Sequence, residues 1–282
     1  MRLNRIVGWS ILASVVGWAG AASAGWVIEQ MMTGGGEGGR QQIVVQANRM
    51  KTVTLGPDGR PVAAFIVDLN ADTLTQVDYT ERQFMTATLQ EYVQMIGGAA
   101  RAASAQMAGA MKAMEEAMKD LPPEQRKMME QMLRSQASPA GAPPESCPDP
   151  RLELRKTGRQ ATIAGYPAGH YEILADGKLD SEMWVAPGIG AWRELDPAKL
   201  ERFAAAMTQA APACGRGPRR QGVPGADPAW KLAGEGYPVR TVTRSLGLTV
   251  EVVKAESRAV PAAEFQPPPN FARKALREML GQ

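Results

Sequence analysis

Histidine and cysteine are scarce in this chain: 282 residues contain one histidine, His170, and two cysteines, Cys147 and Cys214. One imidazole excludes a metal site built from several histidines of one chain, because such sites take two or more. His170 stands in Gly169-His170-Tyr171 at a strand entrance, where it reads as a surface or hydrogen-bonded residue and not as a general base. No H-E-x-x-H, P-loop, G-x-S-x-G or C-x-x-C pattern occurs. Gly34 to Gly39 spell G-x-G-x-x-G, but Gln41 to Val45 follow as a strand where a dinucleotide site needs a helix. Asp/Glu pairs have no distinguishing context, so neither catalysis nor a cofactor is expected. Beyond residue 24 no apolar run approaches the roughly 20 residues of a membrane-spanning helix. A large charge of one sign is also missing. The formal net charge is +3, and the local basic cluster of Arg216, Arg219 and Arg220 lies in a loop, so no nucleic-acid partner is expected.

What is present begins with an export signal. Arg2 and Arg5 precede an apolar stretch from Ile6 to Ala21, and Ala22-Ser23-Ala24 fits the small-x-small pattern of a cleavage site. Cleavage after Ala24 is expected to leave residues 25–282 as a periplasmic or secreted protein without stable membrane insertion. The formal charge then falls from +3 to +1, since two arginines and no acid leave. In an oxidising compartment the two cysteines, each in a Pro/Gly-rich linker (135–150 and 211–228), read as a disulfide staple between loops. Two separate thiols are the alternative.

The longest periodic segment runs from Leu89 to Leu121. Ile96, Ala100, Ala103, Met107, Ala110, Met114, Ala117 and Leu121 recur in steps of four and three, one stripe of a helix. Met111 and Met118 widen that stripe, and Pro122-Pro123 ends it. A second helix follows to residue 134, with Met128, Met129, Met132 and Leu133 on its apolar face. On both sides lie short alternating segments punctuated by turns such as Pro57-Asp58-Gly59, Thr157-Gly158 and Asp176-Gly177, which read as strands. Ala198 to Ala210 and Phe271 to Leu280 read as short helices. Strands, then helices, then strands with hairpin-length connections predict an α+β domain over residues 25–282. Its curved antiparallel sheet of about ten or eleven strands is packed on the inserted Met/Ala-rich helix pair, 89–134.

Met107, Met111, Met114 and Met118 admit three readings. They are core packing, an adaptable apolar surface for lipid or protein, or a thioether site for Cu(I). Copper ranks last, because Met-x-x-x-Met spacing arises whenever methionine fills helix core positions. Trp184, Trp192 and Trp230 read either as core and rim aromatics or as the lining of a concave face.

Asn48-Arg49-Met50-Lys51, Phe65-Ile66-Val67-Asp68 and Val77-Asp78-Tyr79 resemble an exported bacterial family, domain of unknown function 4412. So do Thr162 to Tyr166, Tyr171-Glu172-Ile173, Met183-Trp184-Val185 and the closing Phe265…Pro267-Pro268-Pro269-Asn270-Phe271. That family is similar to the periplasmic lipoprotein-carrier (LolA-like) superfamily. The resemblance implies an incomplete antiparallel barrel over helices, holding apolar ligands in its concavity. The leading expectation is therefore a non-enzymatic periplasmic protein that binds an acyl chain, lipid or apolar segment between sheet and helix. Its candidate surface is Met107, Met111, Met114, Met118 and Trp184. A chaperone-like module that engages an envelope protein is the alternative.

Overall fold

A computed structural model describes residues 24–35, 38–119, 151–210, 232–275 and 278. Six strands come first: β1 (Ala24–Gly34), β2 (Gly39–Gln46), β3 (Arg49–Leu55), β4 (Pro61–Asp68), β5 (Thr73–Asp78) and β6 (Gln83–Thr88). Helix α1 (Leu89–Lys119) follows, then β7 (Leu152–Ile163), β8 (Tyr166–Ala175) and β9 (Lys178–Ala186). A 3₁₀ turn at Ala191–Glu194 leads into α2 (Pro197–Ala210), and β10 (Tyr237–Thr243), β11 (Leu248–Ala259) and β12 (Ala272–Arg273) complete the described chain.

All twelve strands join one open sheet in the order β12-β6-β5-β4-β3-β2-β1-β11-β10-β9-β8-β7. Ten of its neighbouring pairs are antiparallel, and β12 adds to β6 in parallel. β1 is the seam. It pairs with β2 on one side and β11 on the other, joining the two meanders. A strand so placed is covered on both faces, which is why Val27 and Ile28 are both buried.

Period-two alternation divides the core between the faces. Ile28, Val45, Val67 and Leu74 point to one side, joined by Tyr237, Val239 and the segment Ile189 to Leu195. Leu89 and Tyr92 of α1 and Leu200 and Phe203 of α2 pack on this side. Val27, Val44, Val53, Ile66 and Val77 point to the other, where Val260 and Phe265 close over them. A third cluster, Tyr171, Ile173, Met183 and Val185, lies beneath Leu232.

Several expectations change. The sheet has twelve strands among the described residues, not ten or eleven. Thr157-Gly158 is not a hairpin turn: β7 runs through it, and Thr157, Gly158 and Arg159 bulge between the pairs Lys156–Tyr171 and Gln160–Gly169. Gly158, at φ +79°, supplies the backbone conformation that a turn and a bulge both use. Ala272 and Arg273, expected in a helix, instead form an edge strand, with Ala272 N–H 2.9 Å from Arg82 O and Lys274 N–H 2.8 Å from Phe84 O.

Helix α1 is present, but its stripe does not lie on the sheet throughout. Its 31 residues span about 46 Å at 1.5 Å per residue. The six-residue strands beside its start, β5 and β6, span about 20 Å each at 3.4 Å per residue. The helix is thus longer than either strand, and Ala110 and Met114 are exposed, Met114 at 40%. The second predicted helix, both Pro-rich linkers, Cys147, Cys214, Trp230 and residues 1–23 lie outside the described residues.

Candidate functional site

The face under α1 and α2 carries the larger apolar cluster among the described residues. Fourteen partly exposed apolar residues fringe its buried cluster, against four on the opposite face, so among the described residues solvent-accessible apolar surface concentrates here. Much of that fringe is aromatic: Trp26, Phe65, Tyr92, Tyr166, Trp184, Trp192 and Phe203. Trp192 stacks on Tyr237 with centroids 5.4 Å apart, and Tyr92 tilts against Phe65 at 6.3 Å. The Tyr166 hydroxyl donates to Ala255 O at 3.0 Å, satisfying the polar end of a ring otherwise held in apolar surroundings. Tyr237 is buried, and desolvation pushes its phenol well above the usual tyrosine range.

Polar contacts at the helix starts hold the cover in place. Thr88-Leu89-Gln90-Glu91 is a capping box: Thr88 N–H donates to Glu91 Oε2 at 2.8 Å, and Glu91 N–H donates to Thr88 Oγ1 at 3.2 Å. The Thr88 N–H bond first, and the Thr88 hydroxyl donating to Oε2 at 2.8 Å second, hold the Glu91 carboxyl below its ordinary pKa. Asp196 caps α2 through the N–H groups of Ala198 and Lys199, at 2.9 and 3.2 Å, with Pro197 in the first turn. Asn48, at φ +65° in the β2–β3 turn, then ties α2 to the sheet. Its N–H donates to Glu194 O at 2.8 Å, and its Oδ1 accepts from Asp196 N–H at 2.6 Å. Lys199 donates to Asn70 Oδ1 at 2.6 Å, and Asn48 Nδ2 reaches the same oxygen at 3.2 Å.

Trp184, on β9, is packed against the apolar cluster and also borders a polar one. His170 is its cross-strand partner on β8, fully buried, with ring centroids 4.3 Å apart. The Arg159 and Arg240 guanidinium groups lie 6.0 and 5.4 Å from the Trp184 ring centre. The β7 bulge delivers Arg159 and Thr157 to His170. Thr157 Oγ1 is 2.8 Å from Nδ1, and Arg159 Nη2 is 2.9 Å from Nδ1 and 2.6 Å from Nε2. Burial first, and the Arg159 charge second, hold His170 below its ordinary pKa, so the ring is neutral near pH 7. Its Nε2 lies 3.4 Å from Glu182 Oε1. Glu182 also receives Arg159 at 3.3 Å and Arg244 at 2.8 Å. On the adjoining pair, Arg155 binds Glu172 and draws its carboxyl below the usual range. Among the described residues, no group of three or more His, Cys, Asp and Glu side chains is arranged to hold a metal ion.

Of the predicted surface, Trp184 lies at the rim of the apolar face and Met114 lies exposed on α1. Helix α1 packs on α2, β4, β5 and β6, whereas Trp184 stands on β9, five or more strands away in the sheet order. The side chains of Met107, Met111 and Met118 lie outside the described residues. Sequence reasoning missed the arginine cluster, whose members stand as far apart as Arg155 and Arg244. It also missed the capping box, which Thr88-x-x-Glu91 spells directly.

The family described as "Domain of unknown function (DUF4412)" matches residues 82–271. No curated protein matches the chain in sequence. Among solved structures, the chain is similar to an uncharacterized conserved protein from Thermus thermophilus. The identity is 9%, with 89% of this chain and 90% of that chain covered and a TM-score of 0.42. It is also similar to the MucA/MucB complex of Pseudomonas aeruginosa, at 10% identity, 90% and 59% coverage, and a TM-score of 0.37. No helix among the described residues is long and apolar enough to cross a membrane.

Proposed function

This chain belongs to the DUF4412 family, and on that footing we propose that it is a non-enzymatic binding protein of the periplasm or exterior, released by cleavage after Ala24. It holds a hydrophobic molecule, such as an acyl chain or an apolar segment of an envelope protein, against the apolar face that runs from under α1 and α2 across the sheet to Tyr166 and Trp184. The observation that carries this reading is the aromatic fringe of that face, where partly exposed rings stand around a closed apolar core. Rings of this kind bring large contact area at low entropic cost, and apolar area is the main source of affinity for such ligands.

Native mass spectrometry of protein purified from its own host tests the reading. A co-purifying lipid supports the small-ligand form, whereas bare protein from every preparation argues against it. A second reading rests on the exposed Ala110 and Met114 of α1, which suit a partner helix. A stoichiometric protein in the same experiment favours that form.

A further inference from the structure

Beside Trp184, two arginines share one carboxylate. Arg155, Arg159 and Arg244 present three guanidinium groups to Glu172 and Glu182, and Glu153 adds its charge beside Arg155. Arg159 and Arg244 share the single Glu182 carboxylate, while Arg155 has Glu172. Arg240, the other cation at the indole, has its own partner in Glu251 at 3.1 Å. His170 is neutral and adds nothing to the positive side, so the local asymmetry is that Arg159 and Arg244 have one carboxylate between them.

Exposure makes the asymmetry sharper. The Glu172 and Glu182 side chains are each 14% exposed, whereas Arg155, Arg159 and Arg244 are 58%, 58% and 55% exposed. A solute arriving from water at Arg159 and Arg244 thus meets guanidinium N–H groups, with the Glu182 carboxylate sheathed behind them. Each guanidinium has five N–H donors in a planar fork suited to a carboxylate or phosphate. Trp184 links this cationic surface to the apolar face, since it packs against the buried core and lies beside Arg159 and Arg240.

We infer that Arg159 and Arg244 form an anion subsite for the headgroup of an amphiphile whose chain lies on the apolar face beyond Trp184. The ligand class is a single-chain or diacyl molecule with a terminal phosphate or carboxylate. This inference rests on the proposed apolar-binding function and specifies the polar end of its ligand. Glu182 holds the two arginines together while the site is empty and competes with the incoming anion. Arg155, paired with Glu172 and beside Glu153, is not required for contact.

Calorimetric titration of the chain beginning at Gly25 tests this with three probes: dodecyl phosphate, dodecyl maltoside and inorganic phosphate, each surfactant below its micelle concentration. Dodecyl phosphate should bind roughly tenfold more tightly than dodecyl maltoside, the scale of one charge-assisted hydrogen-bonded contact. That preference should shrink as salt is raised from about 50 to about 500 mM. The double variant Arg159→Gln/Arg244→Gln should erase it and leave dodecyl maltoside binding unchanged. Glu182→Gln, with folding checked by its melting temperature, removes the competitor and should enlarge the preference severalfold. A purely structural role for these arginines predicts no such gain.

Equal affinity for dodecyl phosphate and dodecyl maltoside would overturn the inference and leave the apolar reading standing. Equal affinity for dodecyl phosphate and inorganic phosphate would overturn both. A preference that survives in the double arginine variant would overturn the inference alone.

Discussion

Replacing Phe265 with alanine tests whether the chain's closing segment is an anchor or an ornament. Phe265 ends the 3₁₀ turn Ala262–Phe265, is 5% exposed, and closes the cluster of Val27, Val44, Val53 and Val260. The Arg49 guanidinium sits 4.8 Å from its ring centre. Truncating a buried phenylalanine typically costs about 3–5 kcal/mol, and a cation–π contact of this exposure adds about 0.5–1 kcal/mol. The neighbouring ion pair, Lys51 to Glu264 at 2.9 Å, offers less. Lys51 is 10% exposed but Glu264 is 37% exposed, so water screens the pair, and Glu264→Gln should cost only about 1 kcal/mol. Lys51→Met should be close to neutral, because it removes the desolvation cost together with the attraction. Urea unfolding of the chain beginning at Gly25 measures all three, provided the denaturant slope is unchanged. Apolar burial should win by about 2 kcal/mol or more. A loss under about 1 kcal/mol for Phe265→Ala, or a larger loss for Glu264→Gln, would refute the view that apolar contact seals this face.

Three other regions of the molecule offer tests of their own. Because the folded pKa of His170 lies below the unfolded value of about 6.5, the unfolded chain binds more protons as pH falls through that window. Stability should therefore drop between about pH 7 and pH 5, and His170→Gln should flatten the dependence in unfolding curves at the two ends of the range. Thr88→Ala should cost about 1 kcal/mol and speed amide exchange in the first turn of α1. The Glu91 share of that cap is present above its unfolded pKa and is lost as pH falls through the lower folded value. Asn48→Gly keeps the positive φ but removes the bonds to Asp196 and Asn70. It should cost about 1–2 kcal/mol, and Asn48→Ala should cost more by adding backbone strain; matched melting curves would check the order.

Much of the fold was legible where one local signal had one structural meaning. Asp176-Gly177 places the β8–β9 hairpin, with φ of +50° and +75° at its two residues, and the glycines after β1 turn the chain into β2. Gly158 was ambiguous, because a positive-φ glycine serves a turn or a bulge, and only the pairing with β8 decides between them. The extent of α1 followed from its period, but its cover did not. Periodicity identifies an apolar stripe and says nothing of whether the neighbouring strands are long enough to meet it. The arginine cluster was illegible for a topological reason. Arg159 and Arg244 meet only because β9 pairs with both β8 and β10, and the second of those pairings closes across α2.

The bulge in β7 has a consequence for how copies of this chain behave in a crowded compartment. An unclosed sheet ends in strands whose outer backbone groups invite another chain, and β7 occupies one such end over twelve residues. Thr157, Gly158 and Arg159 interrupt its regular spacing, so an incoming straight strand meets two short ladders instead of one long one. Exposed Arg155, Lys156 and Arg159 flank the interruption, and a second copy laid against it would bring like charges together. At the opposite end, β12 offers only two residues. The same insertion that carries Arg159 to His170 thus also interrupts the edge on which another strand would add.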